Sequence, residues 1–389
     1  MKLKQTIYGM ALAALSLLGG ACSHGDDPVT PPGPGGAEGG AFVYLTLNVR
    51  PLDDALPKGD IRAPLAVEND TIGFELPATV YEKMHTLRVI IVHPDGTVEA
   101  NRWIEMDSNQ LPVLPDEMTF KLTSGEVKKV YLFANEESIP YNFNTISAGS
   151  TFPAGLNDMQ LTRQPGSALY DNSGTAKSLI PMTELFDLDV KKPVTEADFH
   201  QKATLFVTRA SVKFSFELKG MPDLKPSNLY IESISIDGIA EGEYLLPNKT
   251  VYSPDKYQAS SNSFGGRFVT SYSSPADVAT SDFTFSVDKG VLPAQINPSK
   301  YIPYMYLPES PVPVDSLGNA QPYMLTVNFA GGTPEYPAFT AITPLPNLPS
   351  LPRNTHVKVV FTLHNSNNID MEVIVLPYRS VTLNPIFGV

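Results

Sequence analysis

The 389-residue sequence contains one cysteine, Cys22, and one tryptophan, Trp103. A single thiol cannot form a disulfide within the chain. No Gly-x-Ser-x-Gly motif is present, so nucleophilic catalysis lacks a candidate residue. One tryptophan gives little material for the stacking platform of many carbohydrate-binding proteins, although a tyrosine-rich stretch at 251–281 leaves that option open. We therefore expect a protein that is not an enzyme.

Basic residues are also scarce, with 28 Lys and Arg against 41 Asp and Glu, for a formal net charge of -13. Such a charge is unfavourable for binding nucleic acid or an anionic membrane surface. We expect protein partners and no nucleic acid. The six histidines never show a metal-ligand spacing, so we expect no metal and no other cofactor.

The one marked apolar run, 7–18, is too short to span a bilayer comfortably and follows two lysines, the layout of a secretory signal peptide. Small residues precede Cys22, which resembles a bacterial lipoprotein precursor, although Gly19 stands where a larger aliphatic or a small hydroxyl residue is usual. We predict a signal peptide over 1–21, a lipid on Cys22, and a flexible Pro/Gly-rich tether over 22–40. An ordinary signal peptide that happens to end in cysteine is the alternative.

The remaining chain is rich in residues that interrupt helices or favour strands, with 36 prolines, 27 glycines, 17 tyrosines and 19 phenylalanines. This composition predicts an all-β fold of short strands and long loops. Alternating segments at 85–94 and 98–106 flank a Pro-Asp-Gly turn and predict a hairpin. One long strand is predicted over 203–220. The length predicts two domains, 63–197 and 198–389.

Two terminal segments alternate with period 2, the signature of half-buried strands. In the first, 41–49, one face carries Ala41, Val43, Leu45, Leu47 and Val49. Two prolines, three aspartates and a glycine follow up to Arg62, which predicts an accessible linker and makes 41–62 a candidate propeptide. In the second, 369–389, the alternating residues are Met371, Val373 and Val375, then Val381 and Leu383. The pattern alone leaves open that both strands pair within one monomer.

Several segments, in this order, resemble the fimbrillin family, the type V pilins or major fimbrial subunits of anaerobic Gram-negative bacteria. Tyr378 is a departure, because the family commonly has tryptophan there. Besides the lipoprotein signal, the matching segments are KMHTLRVIIVHPDGTV (83–98), VKKVYLFANE (127–136), TRASVKFSFEL (208–218), LPRNTHVKVVFTL (351–363) and VIVLPYRSV (373–381).

The resemblance implies two tandem β-sandwich domains of Greek-key or transthyretin-like type. It also implies a structural pilin of a surface fimbria that supports cell adhesion. Such a pilin is exported as an outer-membrane lipoprotein precursor, with lipoprotein-processing enzymes among its partners. An arginine-specific protease would remove the N-terminal strand, and subunits would polymerise by donor-strand exchange with copies of themselves or related pilins. By position, cleavage falls between Arg62 and Ala63; Arg50 competes, but Pro51 follows it. The tail 369–389 would donate the strand.

Two alternatives remain open at this point. The chain could be a lipid-retained fimbrial anchor or tip subunit, or a surface glycan-binding lipoprotein. An anchor would keep its lipid on Cys22 and its N-terminal strand. A polymerising subunit would begin at Ala63.

Overall fold

The computed structural model describes residues 41–52, 80–163, 179–219, 229–247, 279–286, 300–331, 338–345, 350–365 and 368–377. In these ranges the chain is built from strands and short 3-10 turns, without an α-helix, which confirms the predicted all-β class. No helix in these ranges is long and apolar enough to cross a membrane.

The strands, in chain order, are β1 (Phe42–Pro51), β2 (Thr86–Val92), β3 (Val98–Glu105), β4 (Thr119–Thr123), β5 (Glu126–Ala134), β6 (Gln160–Thr162), β7 (Met182–Val190), β8 (His200–Arg209), β9 (Val212–Lys219), β10 (Leu229–Ala240), β11 (Gly242–Tyr244), β12 (Thr280–Ser286), β13 (Lys300–Leu307), β14 (Met324–Gly331), β15 (Phe339–Pro344), β16 (Thr355–Asn365) and β17 (Asn368–Pro377). The 3-10 turns are Val80–Glu82, Pro115–Met118, Glu136–Ser138, Phe143–Thr145, Ala154–Leu156 and Glu196–Phe199.

The first sandwich is one seven-stranded sheet, β3-β2-β5-β7-β8-β1-β4, that folds over on itself. The sheet bends between β7 and β8, whose register consists of two residue pairs, Met182 with Arg209 and Thr183 with Thr208. The layer β3-β2-β5-β7 therefore packs against the layer β8-β1-β4. One apolar cluster fills the space between them and takes side chains from both layers, among them Leu132 of β5.

The second sandwich consists of two four-stranded sheets, β12-β10-β14-β15 and β13-β9-β16-β17. Strands β9 and β16 run parallel at the centre of the second sheet. Its core is rich in phenylalanine: Phe214 of β9 and Phe329 of β14 belong to the same buried cluster. Strand β17 lies at the edge of its sheet, with β16 as its neighbour.

The single strand predicted over 203–220 is two strands. Strand β8 ends at Arg209 in the first sandwich, and β9 begins at Val212 in the second. Sheet membership thus changes at Ala210 and Ser211, downstream of the boundary predicted near 197. Residues 41–389 group as one compact unit by their internal contacts.

The predicted hairpin is confirmed, because β2 and β3 pair antiparallel around the Pro-Asp-Gly turn. The Asp95 side chain accepts the backbone N–H of Thr97 at 2.8 Å, and Gly96 adopts a φ of 88°. In β5, Val127 is apolar but 51% exposed. Successive strand residues point to opposite faces, and Lys128 takes the inward place beside Val130.

Candidate functional site

The candidate site is the groove in which β1 lies. Strand β1 occupies the middle of the layer β8-β1-β4, and its alternate side chains enter the core. The buried ones are Val43, Leu45, Leu47 and Val49, with exposures of 0 to 4%. Ala41 is exposed, so the expectation that it also points inward is wrong. On the outer face, the ring of Tyr44 stacks on His200 at 5.4 Å, and the ammonium of Lys121 lies 5.0 Å from the ring of Phe42.

Both neighbours hold β1 through its backbone. Strand β8 pairs with residues 44–51 in parallel, and β4 pairs with residues 42–46 antiparallel. Just before β1, the carbonyl of Ala41 accepts the backbone N–H of Ser124 at 2.9 Å. Just after β1, Leu52 donates its backbone N–H to the carbonyl of Val207 in β8, also at 2.9 Å. Strand β1 is therefore an integral central strand of this layer and is fixed at both ends.

The pairing of β1 is asymmetric. Beyond Thr46, β8 is its one partner among the described strands, because β4 begins at Thr119, opposite Thr46. A pocket of about 200 Å³ lies against this half of the strand. Its lining consists of Thr46, Leu47, Asn48 and Val49 from β1 and of Met106, Leu111, Pro112, Pro115 and Met118 from the segment 106–118.

The two candidate cleavage sites differ in position. Arg50 lies inside β1, in register with Phe206 of β8, and Pro51 after it is buried. The Arg50–Pro51 bond is thus protected by strand pairing as well as by the proline. Arg62 and Ala63 lie outside the described residues, as does Cys22, and their roles stay predictions.

The predicted donor tail falls into two parts. Met371, Val373 and Val375 lie in β17, in register with Phe361, Val359 and Val357 of β16. Residues 368–377 are therefore already paired within their own chain, whereas the resemblance implies that the whole tail 369–389 is donated. Alternation predicts a strand but does not identify the strand beside it. Val381 and Leu383 lie outside the described residues, so the donor role stays a prediction for 378–389.

One cluster contains ligand types that a metal ion could use: His93, Glu99 and Glu126. The ammonium of the fully buried Lys128 lies 2.5 Å from a carboxylate oxygen of both Glu99 and Glu126. Its hydrogen bond holds the pKa of Glu126 below the usual range. The cluster is therefore an ion-pair network in which the ammonium of Lys128 occupies the space between the two carboxylates and balances one of their two charges.

Buried polar contacts hold the chain at residues 82–83, close to the start of the described range 80–163. Glu82 lies in the first described turn after residue 79 and is fully buried. Its carboxylate pairs with Lys213 Nζ at 2.8 Å and accepts the Tyr306 hydroxyl at 2.5 Å, both from the second sandwich. The Asn135 amide donates to the carbonyls of Lys83 and Ile180 at 2.9 and 2.8 Å. A cut upstream of residue 80 leaves these contacts in place.

A second buried ion cluster includes Glu243 of β11, the strand that pairs with β6. Arg353 donates to Glu309 Oε1 at 2.8 Å, and Glu309 donates its backbone N–H to Glu243 at 3.1 Å. All three side chains are fully buried. Burial raises the pKa of Glu243 to about 8, with Arg353 opposing the shift. Sequence patterns did not indicate either buried cluster.

No family model and no curated protein matches the sequence. Among solved structures, the tip fimbrial protein Mfa3 from Porphyromonas gingivalis is 14% identical, with 87% of this chain and 100% of that chain covered and a TM-score of 0.49. A fimbrial assembly protein from Parabacteroides distasonis is 12% identical, with 86% and 98% covered and a TM-score of 0.41. The fimbrial anchor protein Mfa2 from Porphyromonas gingivalis is 12% identical, with 86% and 97% covered and a TM-score of 0.37.

Proposed function

We propose that this chain is a structural subunit of a surface fimbria with a role in cell adhesion. It is exported as a lipoprotein, cut after Arg62, and polymerised by strand exchange. The observation that carries the proposal is the position of β1. The first described strand, joined to the rest of the chain through a sequence that contains Arg62, lies between β8 and β4 in the middle of the layer β8-β1-β4.

The placement of β1 gives its removal a specific consequence. Its four inward side chains contribute roughly 6–12 kcal/mol of apolar burial, at about 1.5–3 kcal/mol each. If β1 leaves, the facing edges of β8 and β4 lose their hydrogen-bond partners, and the core loses part of its cover. Strands in a sheet are about 4.8 Å apart, so the gap between β8 and β4 is about 9.6 Å and takes one strand. A sheet edge of this kind invites a strand from another chain.

The donor in this proposal is the segment 378–389 of a second copy or a related pilin. It follows β17, which keeps its pairing with β16 in its own subunit. Each subunit would then receive a strand in the first sandwich and donate one from the end of the second. Such a head-to-tail contact does not close on itself and generates a filament.

The proposal has a direct processing test. In Arg62→Ala, the linker keeps β1 covalently attached, so we expect a precursor that carries 41–62 and stays out of fibres. Fibres from cells that express the variant would be quantified by electron microscopy, and the chain by its mass. Lys58→Ala, in the same linker, is the matched control and should assemble normally. Normal assembly of Arg62→Ala would refute the site.

The same test addresses the other fimbrial roles. Solved structures named above include a tip protein and an anchor protein. An anchor keeps β1 in its sheet and its lipid on Cys22. Arg62→Ala would therefore leave the mass and the membrane attachment of an anchor unchanged. A surface glycan-binding lipoprotein would likewise keep both and form no fibres.

A further inference from the structure

We propose that the pocket beside residues 47–49 of β1 is the place where the segment 378–389 of a second copy first docks during strand exchange. This inference rests on the proposed function. It adds the starting point of the exchange and the surface that the incoming chain touches.

The pocket lies where β1 is held least. Over 44–46 the strand has β8 on one side and β4 on the other, whereas 47–51 has β8 alone among the described residues. The pocket occupies the missing side. An incoming segment can therefore reach the strand here while the first half of β1 still fills the sheet.

The opposite wall of the pocket cannot extend the sheet. It contains Pro112 and Pro115, which have no backbone N–H to donate to β1. The same loop presents Leu111, Val113 and Leu114, with exposures of 38, 50 and 58%. In the same wall, Met106 donates its backbone N–H to the His85 carbonyl and Leu111 donates its own to the Asp107 side chain, so neither N–H serves β1. The wall therefore offers an incoming strand mainly apolar side chains.

The composition of 378–389 matches this surface. Its apolar residues are Val381, Leu383, Ile386, Phe387 and Val389. Its one charged side chain is Arg379, whereas the segment 107–117 carries three acidic residues and no basic one. Apolar side chains for the pocket and one cation opposite in sign to the acidic loop are thus present in a single segment, and a second copy supplies that segment in a head-to-tail chain.

The test is a rate measurement on protein that has been cut in its linker and still holds β1. The probe is a fluorescent synthetic peptide with the sequence of residues 378–389. Peptide uptake is followed by anisotropy, and release of β1 by mass spectrometry. In Leu111→Glu a charge is placed at the pocket, and we expect both rates to fall at least tenfold, with the final extent of exchange unchanged.

Leu114→Glu is the matched control. Leu114 lies in the same loop and is exposed, but it does not line the pocket, so the same charge there should change the rates less than twofold. Leu111→Ala adds no charge and should slow uptake by about threefold, which keeps the test valid if Leu111→Glu folds poorly.

Failure of the inference and failure of the proposed function give different results. If unsubstituted protein takes up no peptide and forms no fibres, strand exchange itself is wrong. If it exchanges and the Leu111 and Leu114 variants exchange at its rate, strand exchange stands and the docking place is wrong. Exchange that starts only after β1 has fully left also overturns the docking place.

Discussion

Replacement of Leu45 by alanine should loosen β1 selectively. Leu45 is 2% exposed and lies between Phe120 of β4 and Gln201 of β8 in the sheet register. It is in the part of the strand that is paired on both sides. Leucine-to-alanine changes in a packed core cost about 2–5 kcal/mol, from lost burial and the cavity that remains.

The consequence depends on the state of the linker. In the intact chain, the free energy of unfolding of the first sandwich should fall by about 2–5 kcal/mol. After a cut in the linker, β1 is held without a covalent bond, and the same change should weaken its retention by roughly 30- to 4,000-fold, since 1.4 kcal/mol is a factor of ten. Urea titration measures the first effect. Mass spectrometry of the strand that is retained after dilution measures the second.

The control is Asn48→Ala in the same strand. Asn48 is exposed, and its side chain accepts a long hydrogen bond of 3.4 Å from Arg50. Removing this side chain should therefore change the free energy of unfolding by no more than about 0.5 kcal/mol. Equal retention of β1 in the Leu45 and Asn48 variants would refute the reasoning, because it would show that the buried face of β1 does not hold the strand in its groove.

Three further predictions concern other parts of the chain. Cys22→Ala should abolish palmitate labelling in cells, and a purified 41–389 fragment, which contains no cysteine, should fold without the lipid; retained label in the variant would contradict the first expectation. Deletion of 378–389 should stop fibre growth, with the thermal unfolding midpoint nearly unchanged because β17 keeps its pairing with β16; a large drop in the midpoint would show that the segment belongs to the core. The folded pKa of Glu243 lies above its ordinary value of 4.5, at about 8, so folded protein binds this proton more tightly, and stability should fall as pH rises from 4.5 to 8. Glu243→Gln should flatten this decline in urea titrations between pH 5 and 8, whereas equal slopes would exclude Glu243 as its cause.

The sequence predicts where the strands lie along the chain better than it predicts which strands pair with each other in the sheets. Alternation over 41–49 identifies β1 and its inward side chains, because a strand with one face in the core needs an apolar residue at every second position. It does not indicate that β8, more than 150 residues later, is the parallel partner of β1. The same limit applies to β17, which alternation identifies as a strand and the structure pairs with β16.

Other features leave no periodic signal. The apolar pattern continues across Ala210 and Ser211, so it does not show that the chain leaves one sandwich for the other there. Glu82, Lys213 and Arg353 are charged residues, a class that is almost never fully buried without a partner. Their burial depends on partners from distant segments, which only the folded chain brings together.

The central claim is that the chain loses β1 before it enters a fibre. Mass spectrometry of the N-terminus of this protein, isolated from native fibres, tests that claim most directly. We predict a chain that begins at Ala63, with 41–62 absent. A lipid-modified chain that begins at Cys22 and still contains β1 would contradict the account and assign the protein to an anchor or a surface-retained binding role.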